Sequence, residues 1–216
     1  VSSLQTRGFY LMPSDSMNIW PERWDKPFYD TSFSCSSYDN CHVPWGNRHE
    51  GTMRHVKNND FISGQYVWTG FDYIGEPTPY GWPARSSYFG IIDLAGFPKD
   101  VYYMYQSEWR PDKAVLHLFP HWNWKVGDNV DVWAYYNNAD EVELFLNGKS
   151  QGIKSKKGDD LHIMWRIPYQ PGTLKAVSRK NGKIVAEKTI KTAGEPAALQ
   201  LTPDRSTIKA DGNDLS

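Results

Sequence analysis

Three runs in the C-terminal half change side-chain character at every second residue, and that period restricts the possible folds more than anything else in the chain. Val130, Val132 and Ala134 alternate with Asp131 and Trp133; Val142, Leu144 and Leu146 with Glu141 and Glu143; Leu161, Ile163, Trp165 and Ile167 with His162 and Arg166. Successive side chains on a strand point to opposite faces, so each run predicts a strand with one apolar and one outward face. Asn147-Gly148 and Asn181-Gly182 each stand between such runs. Both residues of an Asn-Gly pair tolerate positive φ, which a two-residue hairpin turn requires. Pro168 and Pro171-Gly172 supply further turns. Short strands at this spacing predict an immunoglobulin-like β-sandwich over residues 115–191, within a unit bounded at residues 111–193.

Residues 1–110 follow another pattern. Up to about residue 60 regular elements are sparse and turn residues common, as in Met12-Pro13-Ser14-Asp15, Trp20-Pro21, Lys26-Pro27 and Pro44. Long loops rich in Trp and Tyr inside a compact protein are more often functional than slack. Asn47 is placed to cap a helix running to about Asn59, with Met53 and Val56 on one face. Tyr66-Val67-Trp68 predicts a short buried strand over 66–69, which breaks at Gly70 into a loop carrying Asp72 and Glu76 among Phe71, Tyr73, Tyr80 and Trp82. Phe97-Pro98-Lys99-Asp100 then opens a helix to about Trp109, with Val101, Met104 and Tyr105 at i, i+3 and i+4. Helix, buried strand, long loop, helix is the order of the last repeat of a β/α barrel. The expected fold is therefore α/β plus all-β: the C-terminal portion of a (β/α)8 TIM barrel over 1–110, then the sandwich. Residues 194–216 read as a linker, Ala193-Gly194-Glu195-Pro196, leading into the opening strands of a further sandwich at 199–203 and 208–212. Val1 and Ser216 both read as cuts through longer elements.

Composition narrows the function. Lys and Arg number 24 against 25 Asp and Glu, so no basic field argues for nucleic acid or an anionic membrane surface. No apolar run approaches membrane-spanning length. Aromatic residues make up 15% of the chain, with 10 Trp and 13 Tyr; most are assigned to the sandwich core and the barrel wall, and the surplus suits carbohydrate contact. Cys35 and Cys41 are compatible with a short-loop disulfide or with two free buried thiols, so they do not identify a compartment. The six histidines make no metal set, because His49 and His55 do not share a helix face and His117 and His121 fall in strand and turn. No metal or cofactor is expected.

The stretch from Gln65 to Pro83, together with Ser36-Ser37-Tyr38-Asp39-Asn40, Val43-Pro44-Trp45-Gly46 and Tyr88-Phe89-Gly90-Ile91-Ile92-Asp93, resembles glycoside hydrolase family 2, in particular its β-galactosidases. The resemblance implies a retaining, exo-acting enzyme on terminal β-galactosides. It also implies an acid/base Glu after barrel strand four and a nucleophile Glu ending strand seven. Val1-Ser2-Ser3-Leu4-Gln5-Thr6-Arg7-Gly8 looks like the segment that follows the nucleophile. No catalytic residue is then expected in this chain, the nucleophile lying just upstream of Val1, and the chain alone is expected to be inactive.

Under the same resemblance, Trp68 matches the tryptophan that ends strand eight and forms a platform under the galactosyl ring, the alternative being a barrel-core residue. Taken by themselves, Asp72 and Glu76 would be the obvious pair of carboxylates for glycoside hydrolysis. With the resemblance they either bind sugar hydroxyls or pair with Arg7 or Arg85 to hold the loops. Tyr38 and Asp39 are further sugar-contact candidates, or the parts of a turn-stabilising Asx motif. The expected partners are a β-galactoside oligosaccharide and the remainder of the same polypeptide, which would cover the apolar faces of Tyr66, Val67 and the 101–109 helix. The expected location is periplasmic or secreted. The alternatives are a β-glucuronidase or β-mannosidase of the same family, and a non-catalytic carbohydrate-binding or scaffold module. Such a module would expose Trp122, Trp124 or Trp133 on the sandwich.

Overall fold

The computed structural model of the 216-residue chain describes residues 10–11, 37–39, 41–42, 47–77 and 80–212, with the backbone alone at 10–11 and 41–42. Arg7, Cys35 and the segment preceding Tyr10 lie outside the described residues. Strands β1 (Tyr10–Leu11) and β2 (Cys41–His42) form a two-residue antiparallel ladder. Helices α1 (His49–Lys57) and α2 (Asp100–Trp109) follow. Then come β3 (Leu116–Phe119), β4 (Asn129–Tyr136), β5 (Glu141–Leu146), β6 (Lys149–Lys154), β7 (His162–Pro168), β8 (Thr173–Lys180) and β9 (Lys183–Lys191).

These last strands build two antiparallel sheets, ordered β3-β4-β7 and β6-β5-β8-β9. The alternation read from sequence sets the layer between them: Val130, Val132 and Ala134 of β4 meet Val142, Leu144 and Leu146 of β5, with Ile163, Trp165 and Leu174 filling in and Trp122 closing one end. Each large apolar side chain buried there contributes about 1.5–3 kcal/mol. The expected hairpins form. Asn147 and Gly148 take φ 50° and 81°, and Asn181 and Gly182 take φ 49° and 75°, the all-positive turn that follows the right-handed twist of the strands. Asn147 also bonds outward, its Nδ2 donating to Pro171 O at 3.0 Å and its Oδ1 accepting from Thr173 N at 2.8 Å. A Cβ at Gly172 would sit 2.0 Å from that Oδ1, so only glycine admits the amide.

The outer face of β3-β4-β7 departs from the simple pattern. Phe119, Trp133, Tyr135 and Leu161 pack against Met53 of α1 and Met104 and Tyr105 of α2 in a second core. Every residue of β4 after Asn129 is buried. The buried Asp131 of β4 is paired, taking two hydrogen bonds from Arg166 at 2.7 and 3.1 Å, and His162 of the neighbouring β7 stacks on Trp133 with ring centroids 3.5 Å apart. His162 Nδ1 lies 2.6 Å from Glu50 Oε1 on α1, and since a carboxylate only accepts, the ring nitrogen donates. Arg54 completes the group with a 2.8 Å bond to Glu50 Oε2. Glu108 of α2 lies between Lys57 and Lys156, at 2.5 and 3.3 Å, which ties both helices to the loop after β6.

Several expectations need correction. No strand forms over 66–69: a strand exists only where a ladder partner exists, and none runs beside 66–68 among the described residues. Residues 199–203 and 208–212 form no strands for the same reason, and Leu199 and Leu201 are exposed. Asn47 does not cap α1. Its Oδ1 accepts from the adjacent Arg48 N–H at 2.8 Å, while the Asp39 carboxylate caps the helix, accepting from His49 N at 3.0 Å and Glu50 N at 2.7 Å. The helix over 101–109 is not an open apolar face, because Met104 and Tyr105 are buried against the sheet. Val67 packs against the same cluster, whereas Tyr66 is fully exposed.

Candidate functional site

Residues 69–72 form a short parallel ladder with 89–92. Thr69 N donates to Phe89 O at 3.0 Å, Ile91 N to Thr69 O at 3.1 Å, Ile92 N to Gly70 O at 3.0 Å and Asp72 N to Ile92 O at 2.9 Å. The two backbones approach so closely that a Cβ on Gly90 would lie 2.1 Å from Asp72 N. The ladder is the base from which the aromatic loop projects.

Trp68 sits immediately before that base, joined to Thr69 by a cis peptide bond, and its side chain is 74% exposed. The indole Nε1 donates to Tyr73 OH at 3.3 Å, and the Tyr73 hydroxyl donates in turn to Glu76 Oε2 at 3.3 Å. The two rings meet edge to face, 6.4 Å apart at 86°, which leaves indole faces clear of tyrosine. Glu76 is exposed, with carboxylate capacity left over after one acceptor bond. An open aromatic face beside a carboxylate can take a polyhydroxylated ring: its C–H groups lie on the indole and its rim hydroxyls reach the acceptor. Trp82, further along the loop, is also exposed and carries the Arg85 guanidinium 4.0 Å above its ring.

Asp72 is on the same loop but turned toward the base. Its Oδ1 accepts from Gly90 N and from Lys99 Nζ, each at 2.8 Å, and its side chain is 10% exposed. Its cationic partner among the described residues is thus Lys99, while Arg85 is committed to Trp82. Tyr38 and Asp39 stand with the second core instead. Tyr38 donates to the Asp131 carbonyl at 2.7 Å, with its ring 5.1 Å from Trp133, and Asp39 is the cap of α1. Of the five candidates, Trp68 and Glu76 are brought together through Tyr73. Asp72 underlies them, and Tyr38 and Asp39 belong to the contact between α1 and the sandwich.

Electrostatics follow burial and pairing. Burial raises the Asp39 carboxyl above its ordinary range, outweighing His49 and the two N–H donors. Burial pushes Glu50 the same way, but His162 and Arg54 outweigh it and the carboxyl ends lower than usual. Burial likewise raises the Tyr105 hydroxyl, which lies 2.9 Å from His49 Nδ1. Among the described residues no three His, Cys, Asp or Glu side chains stand close enough to hold a metal ion, and no helix is long and apolar enough to cross a membrane.

The sequence pattern alone does not mark Lys99 or Tyr73 as site residues. One signal for Lys99 was available: it is the N-cap residue of α2, where a cation opposes the helix dipole unless an anion holds it. Tyr73 carried no such signal, because its role depends on how the loop folds back. On the sandwich, Trp122 and Trp133 are buried, and Trp124 is half-buried, its ring stacked 5.1 Å from His121 and its Nε1 donating to His121 O at 2.8 Å.

Comparison with known proteins adds four findings. Residues 127–186 match a family described as a domain of unknown function, DUF4982. Over 214 residues the chain is 71% identical to beta-galactosidase BoGH2A of Bacteroides ovatus, a match covering 99% of this chain and 25% of that protein. Over 175 residues it is 43% identical to a putative beta-glucuronidase of Formosa agariphila, covering 77% of this chain and 16% of that one. Among solved structures, a beta-glycosidase from Bacteroides vulgatus superposes with a TM-score of 0.74 at 36% identity, over 93% of this chain and 25% of the other. The chain thus spans about a quarter of the length of the first of these relatives.

Proposed function

The chain belongs to glycoside hydrolase family 2, and from that premise we propose that it forms part of a retaining, exo-acting enzyme that removes terminal β-galactosides. Trp68, Tyr73 and Glu76 form one wall of the sugar subsite. The observation that carries this is the exposed indole of Trp68, bonded through Tyr73 to the exposed Glu76 carboxylate, while the tryptophans of the sandwich are buried or half-buried. A carbohydrate-binding sandwich would show the reverse, so the enzyme is favoured over the module. The 71% identity to a protein named beta-galactosidase supports the sugar.

In this proposal residues 1–110 are the end of a (β/α)8 barrel and the two sheets are an immunoglobulin-like sandwich packed on its flank. The reacting carboxyl groups come from polypeptide upstream of Val1, about 5–5.5 Å apart as retention requires. One attacks the anomeric carbon while the other protonates the leaving oxygen; water, deprotonated by the second, then releases the sugar from the first. This chain contributes the wall. The indole faces the C–H side of the galactosyl ring and Glu76 accepts from a hydroxyl, orienting the ring for attack. The chain by itself is inactive, and its location is periplasmic or secreted.

The test is hydrolysis of 4-nitrophenyl β-galactoside by the polypeptide at the full length of its relatives. Turnover of the galactoside well above that of the matching glucuronide and mannoside is expected. Failure to turn over any β-glycoside would overturn the proposal. Preference for the glucuronide would move the substrate to that of the relatives named beta-glucuronidases.

A further inference from the structure

We propose that Lys99, acting through Asp72, is a positioning residue that fixes where the Trp68 indole stands; this rests on Trp68 being the sugar wall. Three observations converge on the lysine. Its ammonium donates both to Asp72 Oδ1 at 2.8 Å and to Tyr88 O at 2.9 Å, so one side chain ties together the two strands of the parallel ladder. Its backbone N–H donates to Ile91 O at 2.9 Å, fixing the same strand a second time. Asp72 spends the oxygen that holds Lys99 on Gly90 N as well, at 2.8 Å, in the place where the backbones are too close for any side chain at residue 90.

That ladder ends at Thr69, whose N–H and C=O are both bonded across it, and Trp68 is the next residue back. The register of the ladder is therefore the register of the indole. Lys99 also opens α2, which is anchored on the sandwich by Met104 and Tyr105 and by His117 Nε2 meeting Asp100 Oδ1 at 2.7 Å. The position of Trp68 is in this way referred to the sandwich through Lys99, by its ammonium and its backbone N–H together, beside the packing of Val67 and Ile91 on the second core. Charge opposes leaving the site half-made: without Lys99, Asp72 keeps a nearly buried carboxylate with no cation among the described residues. The ladder must then open to hydrate it.

The experiment is a double-mutant cycle in the full-length polypeptide, reading kcat/KM for 4-nitrophenyl β-galactoside. Lys99→Gln and Trp68→Ala are each expected to lower kcat/KM about tenfold. The double variant should be no worse than Trp68→Ala alone, because Lys99 works only through the indole. Lys99→Arg, which keeps the cation, should recover most of the loss. Unchanged kcat/KM in Lys99→Gln, or losses that multiply in the double variant, would overturn the inference and leave the sugar wall standing. Wild-type kcat/KM in Trp68→Ala would remove the wall and the inference together. Should Lys99→Gln fail to fold, Asp72→Asn takes its place in the cycle, since it keeps an acceptor for Gly90 N–H while discarding the charge that holds the lysine.

Discussion

Trp133 and Trp68 are the same residue in two regions of one chain, and they meet opposite fates. Trp133 is 2% exposed, lying between Tyr38 and His162 where α1, α2 and the β3-β4-β7 sheet close on one another. Trp68 is 74% exposed at the end of a ladder that supports it from one side. The sandwich supplies two covering layers to β4, so its aromatics become core; the 61–97 region supplies one, and Phe61, Tyr66, Trp82 and Phe97 stay open with Trp68. A chain with an aromatic surplus has divided it between holding the fold and meeting something else, and exposed clusters of this kind mark contact surfaces.

The sharpest way to break that contrast is to remove each indole in turn. Trp133→Ala should cost about 3–5 kcal/mol in equilibrium denaturation, since it leaves a cavity between two layers. A cost below about 1 kcal/mol would show that the second core is not tightly packed.

Glu50→Ala comes next, at about 3 kcal/mol, because it strands His162 and Arg54 without their carboxylate. The same group sharpens the contrast through pH. The folded Glu50 carboxyl sits below its ordinary 4.5, so the folded state binds that proton less readily than the unfolded one. Its contribution is complete above pH 4.5 and is lost as pH falls through the lowered value. Asp39 is displaced upward, so its contribution has the opposite sign and declines as pH rises from its ordinary 3.8. Glu50→Gln should flatten the acid arm of a stability profile and Asp39→Asn should steepen it; the same slope in both would refute the assignment.

Gly90→Ala follows, with an expected loss of about 1–3 kcal/mol as Asp72 and residue 90 are forced apart, monitored as earlier amide exchange at Thr69 and Ile92. Smallest is Trp68→Ala, within about 0.5 kcal/mol of wild type. A loss as large as that of Trp133→Ala would make this indole a core residue and erase the difference between the two regions.

What could be seen beforehand was what neighbours in sequence decide. The Asn-Gly pairs at 147–148 and 181–182 specify their turns by their own φ preferences, and the alternation in β5 survives as alternating burial. What could not be seen depends on residues far apart. Trp133 reads as the outer face of a two-layer sandwich, and the packing of α1 and α2 residues on that face buries it. Asn47 has the right chemistry for a cap, yet Asp39 reaches the helix from ten residues upstream and takes its place. Asp72 needs a cation, and its partner lies 27 residues on, at a helix start whose sequence pattern signals only the helix. The apolar run at 66–69 suggests a strand, but a strand is a relationship, and the described partner begins only beside Thr69.

Because β4 has no face turned to water, the sandwich cannot be lifted out as a portable module. A graft of the two sheets onto another protein, cut at residue 110, would carry Phe119, Trp133, Tyr135 and Leu161 into solvent as an adhesive strip. Inheritance should therefore keep helices and sheets together through any shuffling of the parts around them.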